Sequence, residues 1–145
     1  MRYKKLDPIS HILLRPDMYL GSVQSQESNV WIYDENENKI VKKFIMYNDG
    51  IVRCFTEAVS NAVDNFFRSR DGPTPMTTFE VSYDESTQKI EMMNDGNQIP
   101  IKIHEEENMY IPEMVFGHLL SSSNYSDNEN RISSGRNGLG IKLLN

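Results

Sequence analysis

Hydrophobic and polar positions alternate with two different periods along the chain, and these periods predict the order of its elements. Extended segments are expected over about 29–33 and 39–47, where strand-forming residues flank a polar turn at 34–38. Asn48-Asp49-Gly50 then gives the start signal of a helix over about 51–68. One side of this helix is apolar at roughly 100° per residue, through Ile51, Phe55, Ala58, Ala62 and Phe66.

The second half of the chain shows the alternating strand pattern again, but only up to about residue 93. Alternating apolar positions predict a hairpin of strands 78–83 and 89–93, and the second strand runs into Asn94-Asp95-Gly96. A short apolar helix is expected near 112–120. Residues 121–140 are rich in Ser, Asn, Asp and Gly, and they form a long loop by composition. A loop of this length inside a compact domain is either disordered or a functional lid.

The opening segment, residues 1–22, is interrupted by Pro8, Pro16 and Gly21 and is interpreted as an arm. Within it, Ser10 is expected to cap a short helical turn over 11–14. Residues 23–145 then form the first part of one folded domain, since 145 residues leave no room for a second full core.

A polar stripe on the long predicted helix is the first candidate for chemistry. Glu57, Asn61, Asp64 and Asn65 share one face, which contains two carboxylates, two amides and no lysine or arginine. The ordinary interpretation is a solvated helix face. The alternative is a site in which a carboxylate orients and deprotonates water and an amide oxygen one turn later binds a hard cation.

The glycine-rich segment near the end of the chain is the second candidate. Gly135, Gly138 and Gly140 let the backbone approach a phosphate, a helix starting near Gly138 would add its positive end, and Arg136 and Lys142 add full charges. The segment lacks the Gly-Lys-Ser/Thr ending of a Walker loop, and it is not a dinucleotide fingerprint. A plain surface turn therefore remains the other interpretation. Asn94, at a strand end, is the third candidate, because its two-sided amide can bind an adenine edge.

Composition and charge narrow the class of protein. Hydrophobic residues make up 38% and charged residues 25%, as in a globular domain, and no apolar run approaches the ~20 residues that cross a bilayer. The single cysteine, Cys54, fits a reducing compartment, so an intracellular protein is expected, without a membrane partner. The net charge of -6 and the scattered basic residues indicate that any DNA contact comes mostly from elsewhere.

The three candidate regions occur in an order that resembles a known superfamily. A helix with Glu-x-x-x-Asn, a strand ending in Asn/Asp-x-Gly and a glycine-rich lid resemble the ATPases of gyrase, heat-shock chaperones, histidine kinases and MutL. Longer segments resemble the N-terminal ATPase domain of eukaryotic-type DNA topoisomerase II. These are HILLRPDMYLGS at 11–22, EAVSNAVDN at 57–65, IPEMVFGHLLSSSNY at 111–125 and SGRNGLGIK at 134–142.

The resemblance implies roles for individual residues. Glu57 would be the general base for water, Asn61 would hold Mg²⁺, and Asn94 would take the adenine-binding place. Tyr3 would reach the nucleotide of a partner subunit. Residues that would contact ribose and phosphates are Ser122, Ser123 and Asn124, and those that would wrap the triphosphate of ATP are Gly135, Arg136, Asn137, Gly138, Leu139, Gly140, Ile141 and Lys142.

The resemblance also implies a fold and a function. The fold would be α/β, a two-layer α/β sandwich that is incomplete in this chain. The function would be an ATP-hydrolysing gate that closes a homodimer around DNA, in the nucleus if the source is eukaryotic. The family's sensor lysine would lie beyond Asn145, so the chain is expected to be a piece with little turnover alone. The alternatives are a mismatch-repair or chaperone ATPase, and a nucleotide-binding dimerisation module that never hydrolyses ATP.

Three positions depart from the family pattern. Gln98 stands where the family has a second glycine, and its side chain could alter how a nucleotide fits beside Asn94. Leu139 and Ile141 stand where tyrosine and alanine are usual. Since the glycines and Lys142 are kept, nucleotide binding is expected to survive.

Overall fold

The computed structural model describes residues 3–121 and 138–145. The chain divides into two compact units, Met1–Arg53 and Cys54–Asn145. Each is described by itself below. In the described part, no helix is both long enough and apolar enough to span a bilayer.

The first unit opens with two short helices. Helix α1 covers Pro8–Leu14, and the single turn α2 covers Asp17–Leu20, which the sequence pattern did not predict. The predicted cap at Ser10 is wrong: Asp7 is the capping residue, and its carboxylate accepts from the backbone N–H of Ser10 at 3.0 Å. Hydrogen bonds from Ser10 lower the pKa of Asp7.

A long antiparallel hairpin makes up most of the first unit. Strand β1 covers Ser25–Asp34 and strand β2 covers Lys39–Asn48, with Trp31 opposite Lys42. The predicted strands are therefore confirmed, although β1 begins earlier than expected. Asp34 is buried and accepts a hydrogen bond from Lys43, which lowers the pKa of Asp34 and raises that of Lys43.

The long helix α3 covers Asp49–Ser69, as the apolar period predicted. The side chain of Asn48 accepts from the backbone N–H of Ile51 at 3.1 Å, so Asn48 closes the first turn in the way an N-cap does. On the apolar side, Ala62 is buried. The helix begins in the first unit and ends in the second, where Ser69 is fully buried.

The second unit contains a shorter hairpin. Strand β3 covers Phe79–Asp84 and strand β4 covers Lys89–Asn94, and the two pair antiparallel as predicted. Asp84 holds the turn between them: hydrogen bonds from Ser86 and then Thr87 lower its pKa to about 2.

Two short helical segments follow in the second unit. Helix α4 covers Ile111–Gly117, so the predicted helix near 112–120 ends earlier than expected. His118 is extended and Leu120 has a φ of 61°, and neither conformation continues a helix. A 3-10 turn covers Gly140–Leu143. Helices and antiparallel strands thus alternate along the chain, as in the predicted α/β class.

Candidate functional site

Three polar residues of α3 lie one turn apart on a single face. Glu57, Asn61 and Asn65 are spaced by four residues, which places each roughly 6 Å along the axis from the next. Asp64, beside them, is 4% exposed, so the interpretation of this stripe as an ordinary solvated face is wrong at Asp64. Asn61 Nδ2 donates to the backbone carbonyl of Glu57 at 2.7 Å. This bond leaves Asn61 Oδ1 as the end of the amide that faces away from the helix backbone.

The carboxylate of Glu57 lies against the backbone of Gly140. A Cβ atom at Gly140 would be only 2.0 Å from Glu57 Oε2 and 2.8 Å from its Cδ. Only glycine allows so close an approach. The structure therefore brings the predicted general base together with the end of the predicted phosphate cradle, two residues that are far apart in the sequence.

The segment that leads to Gly140 is closed at its base by two hydrogen bonds. The backbone N–H of Leu120 donates to the carbonyl of Gly138 at 3.1 Å, and Lys142 Nζ donates to the carbonyl of Ser121 at 2.8 Å. Burial lowers the pKa of Lys142. The condition of a helix that begins near Gly138 is not met as an α-helix: Gly138 has a φ of 58°, and a 3-10 turn follows from Gly140.

The turn that follows β4 is fastened to α3 through amides. Asn65 Nδ2 donates to Asn94 Oδ1 at 2.8 Å and to the backbone carbonyl of Asn97 at 3.1 Å. The turn passes close to the helix at Gly96, where a Cβ atom would be 2.8 Å from Asn65 Nδ2 and 3.0 Å from the Cβ of Met76. Asn94, predicted at the adenine, thus contacts the same helix face as Glu57 and Asn61.

Asp95 fastens the other side of this turn. Its carboxylate accepts from the Thr77 hydroxyl at 2.6 Å and from the backbone N–H groups of Thr77 and Thr78 at 2.8 Å each. These bonds, that from the Thr77 side chain first, lower the pKa of Asp95 to about 2. Sequence reasoning did not assign this role to Asp95 or the bond between Asn65 and Asn94. The available signal was an acidic residue in the turn after β4, together with two threonines just before β3.

The remaining predicted site residues are placed as follows. Tyr3, in the first unit, is 95% exposed. Leu139 and Ile141 are half-buried beside Gly140, and Gln98 is exposed one residue after Asn97. Outside the described residues lie Ser122, Ser123, Asn124, Gly135, Arg136 and Asn137.

A small apolar cavity of about 300 Å³ also occurs in the second unit. Its lining includes Val63, Phe66 and Met76 and contains neither the polar face of α3 nor Asn94. We therefore do not assign the nucleotide to this cavity, because the hydrogen-bonding groups that could orient a nucleotide lie elsewhere.

Comparison with known proteins identifies the class of protein that this fold and site define. Residues 46–145 match the model of the histidine kinase-, DNA gyrase B- and HSP90-like ATPases, and the chain belongs to this family.

Within that family, the chain resembles the eukaryotic DNA topoisomerase 2 proteins. It is 46% identical to DNA topoisomerase 2 of Saccharomyces cerevisiae and 42% identical to that of Drosophila melanogaster, in each case over 99% of this chain and 10% of the relative. The chain thus spans about a tenth of the length of these relatives.

Solved structures agree with the sequence relatives. The ATPase region of Saccharomyces cerevisiae topoisomerase II matches with a TM-score of 0.92 and 45% identity, over 99% of this chain and 37% of that one. The ATPase and transducer domains of Balamuthia mandrillaris DNA topoisomerase II match with a TM-score of 0.91 and 44% identity, over 98% and 35%. The predicted resemblance and the α/β class are confirmed, and a mismatch-repair or chaperone ATPase is not favoured.

Proposed function

We propose that this chain is the front part of the ATP-binding gate of a type II DNA topoisomerase. The observation that carries the proposal is the contact between the Glu57 carboxylate and the backbone of Gly140. A carboxylate that can accept a proton from water is held at the end of a glycine-rich segment that can surround phosphates. An ATPase needs these two elements side by side, since the attacking water must lie next to the terminal phosphate.

Residues along the polar face of α3 would contact different parts of the nucleotide. Glu57 lies at the phosphate end, and Asn65, which holds Asn94, lies two turns later at the base end, roughly 12 Å along the helix axis. Glu57 would orient the attacking water and take its proton, and Asn94 would contact adenine. Lys142 would add positive charge near the phosphates, from its position beside Ser121.

Asn61 is suited to hold Mg²⁺ between these two ends. Because its amide nitrogen donates to the carbonyl of Glu57, its oxygen faces away from the helix, and amide oxygens are ligands that hard cations accept. When bound, the ion would neutralise charge on the phosphates of ATP.

The relatives extend the proposal beyond the chain itself. By analogy with DNA topoisomerase 2, the whole protein would act on DNA as a homodimer in the nucleus, with Tyr3 reaching the nucleotide of the partner subunit. The high exposure of Tyr3 is compatible with such a contact. The net charge of -6 supports a gate whose DNA contacts come from other parts of the protein.

Glu57→Gln in the full-length protein tests the proposal. The amide keeps the shape of the side chain but cannot accept the proton, so we expect ATP hydrolysis to fall by ~10²–10⁴ while ATP binding is kept. Steady-state hydrolysis and equilibrium ATP binding, each with and without Mg²⁺, provide the two measurements. Wild-type turnover in the variant would remove Glu57 from the chemistry.

The same assay separates the topoisomerase function from its alternatives. Hydrolysis that is Glu57-dependent and stimulated by duplex DNA supports the topoisomerase gate. Hydrolysis that DNA leaves unchanged would point to another ATPase of the family, and binding without any hydrolysis would point to a dimerisation module.

A further inference from the structure

Ser121 follows α4 in the chain, and its hydroxyl is bound to the end of that helix. Ser121 Oγ lies 2.7 Å from the carbonyl oxygen of Met114 and 2.8 Å from that of His118. Because carbonyl oxygens only accept, the hydroxyl is the donor and shares its one proton between them. The side chain therefore ties residue 121 to the C-terminal end of α4.

The backbone just before Ser121 has a conformation that needs support. Leu120 has a φ of 61°, which is uncommon for residues other than glycine and persists where the surroundings hold it. Its side chain is 66% exposed, so burial of this leucine does not supply the support. Hydrogen bonds do: the backbone N–H of Leu120 donates to the carbonyl of Gly138, and the Ser121 hydroxyl holds the next residue.

With its hydroxyl and the preceding residue held, Ser121 presents its own carbonyl to a lysine. Lys142 Nζ donates to this carbonyl at 2.8 Å. Burial lowers the pKa of Lys142, and a charge that is partly removed from water is costly without a hydrogen-bond partner. A lysine side chain is also flexible along its four-carbon stem, so the bond to Ser121 selects one position for the ammonium group.

The lysine that Ser121 holds belongs to the turn that meets Glu57. Lys142 is two residues after Gly140 in the same 3-10 turn, and Gly140 lies against the Glu57 carboxylate. An ammonium group carries three donors, so a bond to Ser121 is compatible with further bonds to phosphate oxygens.

We propose that Ser121 is a positioning residue that holds the ammonium group of Lys142 in place for the phosphates of the nucleotide. The inference rests on the proposed function, which places Lys142 near those phosphates. Ser121 acts through Lys142 and need not touch the nucleotide itself. An ammonium group that is already oriented loses less entropy when the phosphates bind, so the hydroxyl of Ser121 contributes to ATP affinity.

A double-mutant cycle in the full-length protein tests whether Ser121 acts through Lys142. Equilibrium ATP binding is measured for the wild type, Ser121→Ala, Lys142→Met and the double variant. We expect Lys142→Met to weaken ATP binding by about tenfold or more, and Ser121→Ala by about fivefold. In the Lys142→Met background, Ser121→Ala should change ATP affinity by less than about twofold, because the ammonium group that it positions is gone.

Two further substitutions repeat the cycle at equal side-chain size. Ser121→Thr keeps a hydroxyl and should retain wild-type ATP affinity, whereas Ser121→Val lacks one and should bind ATP as Ser121→Ala does. Ser86→Ala is the matched control, since the hydroxyl of Ser86 also supports a turn, by donating to Asp84 Oδ1 at 2.7 Å. It should leave ATP affinity unchanged.

The outcomes separate this inference from the proposed function. An equal loss from Ser121→Ala in both backgrounds would show that Ser121 supports the fold without acting through Lys142, and would overturn the inference alone. Tighter ATP binding by Ser121→Ala would do the same, because Ser121 would then restrain Lys142. A wild-type protein that does not bind ATP at millimolar concentration would overturn the proposed function, and the inference with it.

Discussion

The two regions that meet the polar face of α3 are held there in different ways. The turn at 94–97 is fastened by hydrogen bonds from Asn65, Thr74, Thr77 and Thr78, all to groups of the protein itself. The segment ending at Gly140 approaches Glu57 through a close contact instead, and the bonds that fix it lie at its base, at Leu120 and Lys142.

The turn at 94–97 is the region that is organised without a ligand. A region held by its own hydrogen bonds has its geometry before any ligand arrives, so binding there would cost little entropy. The Glu57 carboxylate keeps its place against residue 140 only while that residue has no side chain larger than a hydrogen atom. A Cβ atom is excluded in both regions, at Gly140 by the Glu57 carboxylate and at Gly96 by Asn65 and Met76.

Gly140→Ala should give the largest effect and should act on catalysis. The new Cβ would lie 2.0 Å from Glu57 Oε2, which is the far end of a flexible side chain, so the carboxylate moves and the fold is kept. Since a displacement of about 1 Å can cost on the order of 10²-fold in rate, we expect ATP hydrolysis by the full-length protein to fall by at least that factor. The melting temperature should change by less than about 2 °C.

Gly117→Ala is the control for this substitution. A Cβ at Gly117, in the last turn of α4, would meet nothing within 4 Å. Hydrolysis and melting temperature should therefore both stay near the wild-type values. Unchanged hydrolysis in Gly140→Ala would show that the position of the Glu57 carboxylate does not matter.

Gly96→Ala should give the next largest effect and should act on stability. Here the added Cβ would meet Asn65, which two hydrogen bonds hold in place, and the Cβ of Met76, which cannot turn away. Overpacking of this kind costs ~1–3 kcal/mol, which thermal or urea unfolding of the variant measures. A Gly96→Ala protein as stable as Gly117→Ala would mean that the turn yields freely.

These two glycines also show what the sequence could and could not predict. The period of α3, both hairpins and the polar stripe of Glu57 and Asn61 follow from local patterns, and the structure confirms them as elements. The contacts at Gly96 and Gly140 join residues distant in the chain, and no period encodes which side chain a glycine will meet. The order of the motifs along the chain indicated one family. That resemblance predicted more site residues than the residue spacing within each motif did.

The errors in the prediction have local physical causes. Hydroxyls and carboxylates are both good helix caps, so the sequence pattern at the start of α1 does not choose between Ser10 and Asp7. Apolar residues continue past Gly117 and favour a longer α4, but Leu120 adopts a left-handed conformation. At Gly138 the left-handed backbone, with a φ of 58°, does not start an α-helix. The 3-10 turn is all that forms there.

Asp95→Asn should give the smallest effect, and that effect should depend on pH. The pKa of Asp95 is lowered from 3.8 to about 2, so its ionised form favours the folded state. The stabilisation is present above pH 4 and is lost as pH falls from about 4 to 2. We expect the variant to melt below the wild type at pH 7, with the gap closing as the pH falls below 4.

The substitution Asp84→Asn tests whether an effect on ATP affinity is specific to the turn at Asp95. Asp84 also stabilises a turn through its carboxylate, but at a different place in the fold. Asp84 has the same lowered pKa, about 2, and is the last residue of β3, where the turn to β4 begins. Its substitution should reproduce the pH dependence of melting without changing ATP affinity, whereas Asp95→Asn should weaken ATP binding as well. Equal ATP affinities in the two variants would argue that Asp95 does not support the position of Asn94.

The bonds at Leu120 and Lys142 have a consequence for how the sequence between them can vary. Both join the chain before residue 122 to the chain after residue 137, so the two ends meet whatever lies between. The entropy of closing a loop grows slowly, by about 0.6 kcal/mol for each doubling of its length. Lengthening the chain between residues 121 and 138 would therefore weaken this closure only slightly, and the contact of Gly140 with Glu57 would be kept.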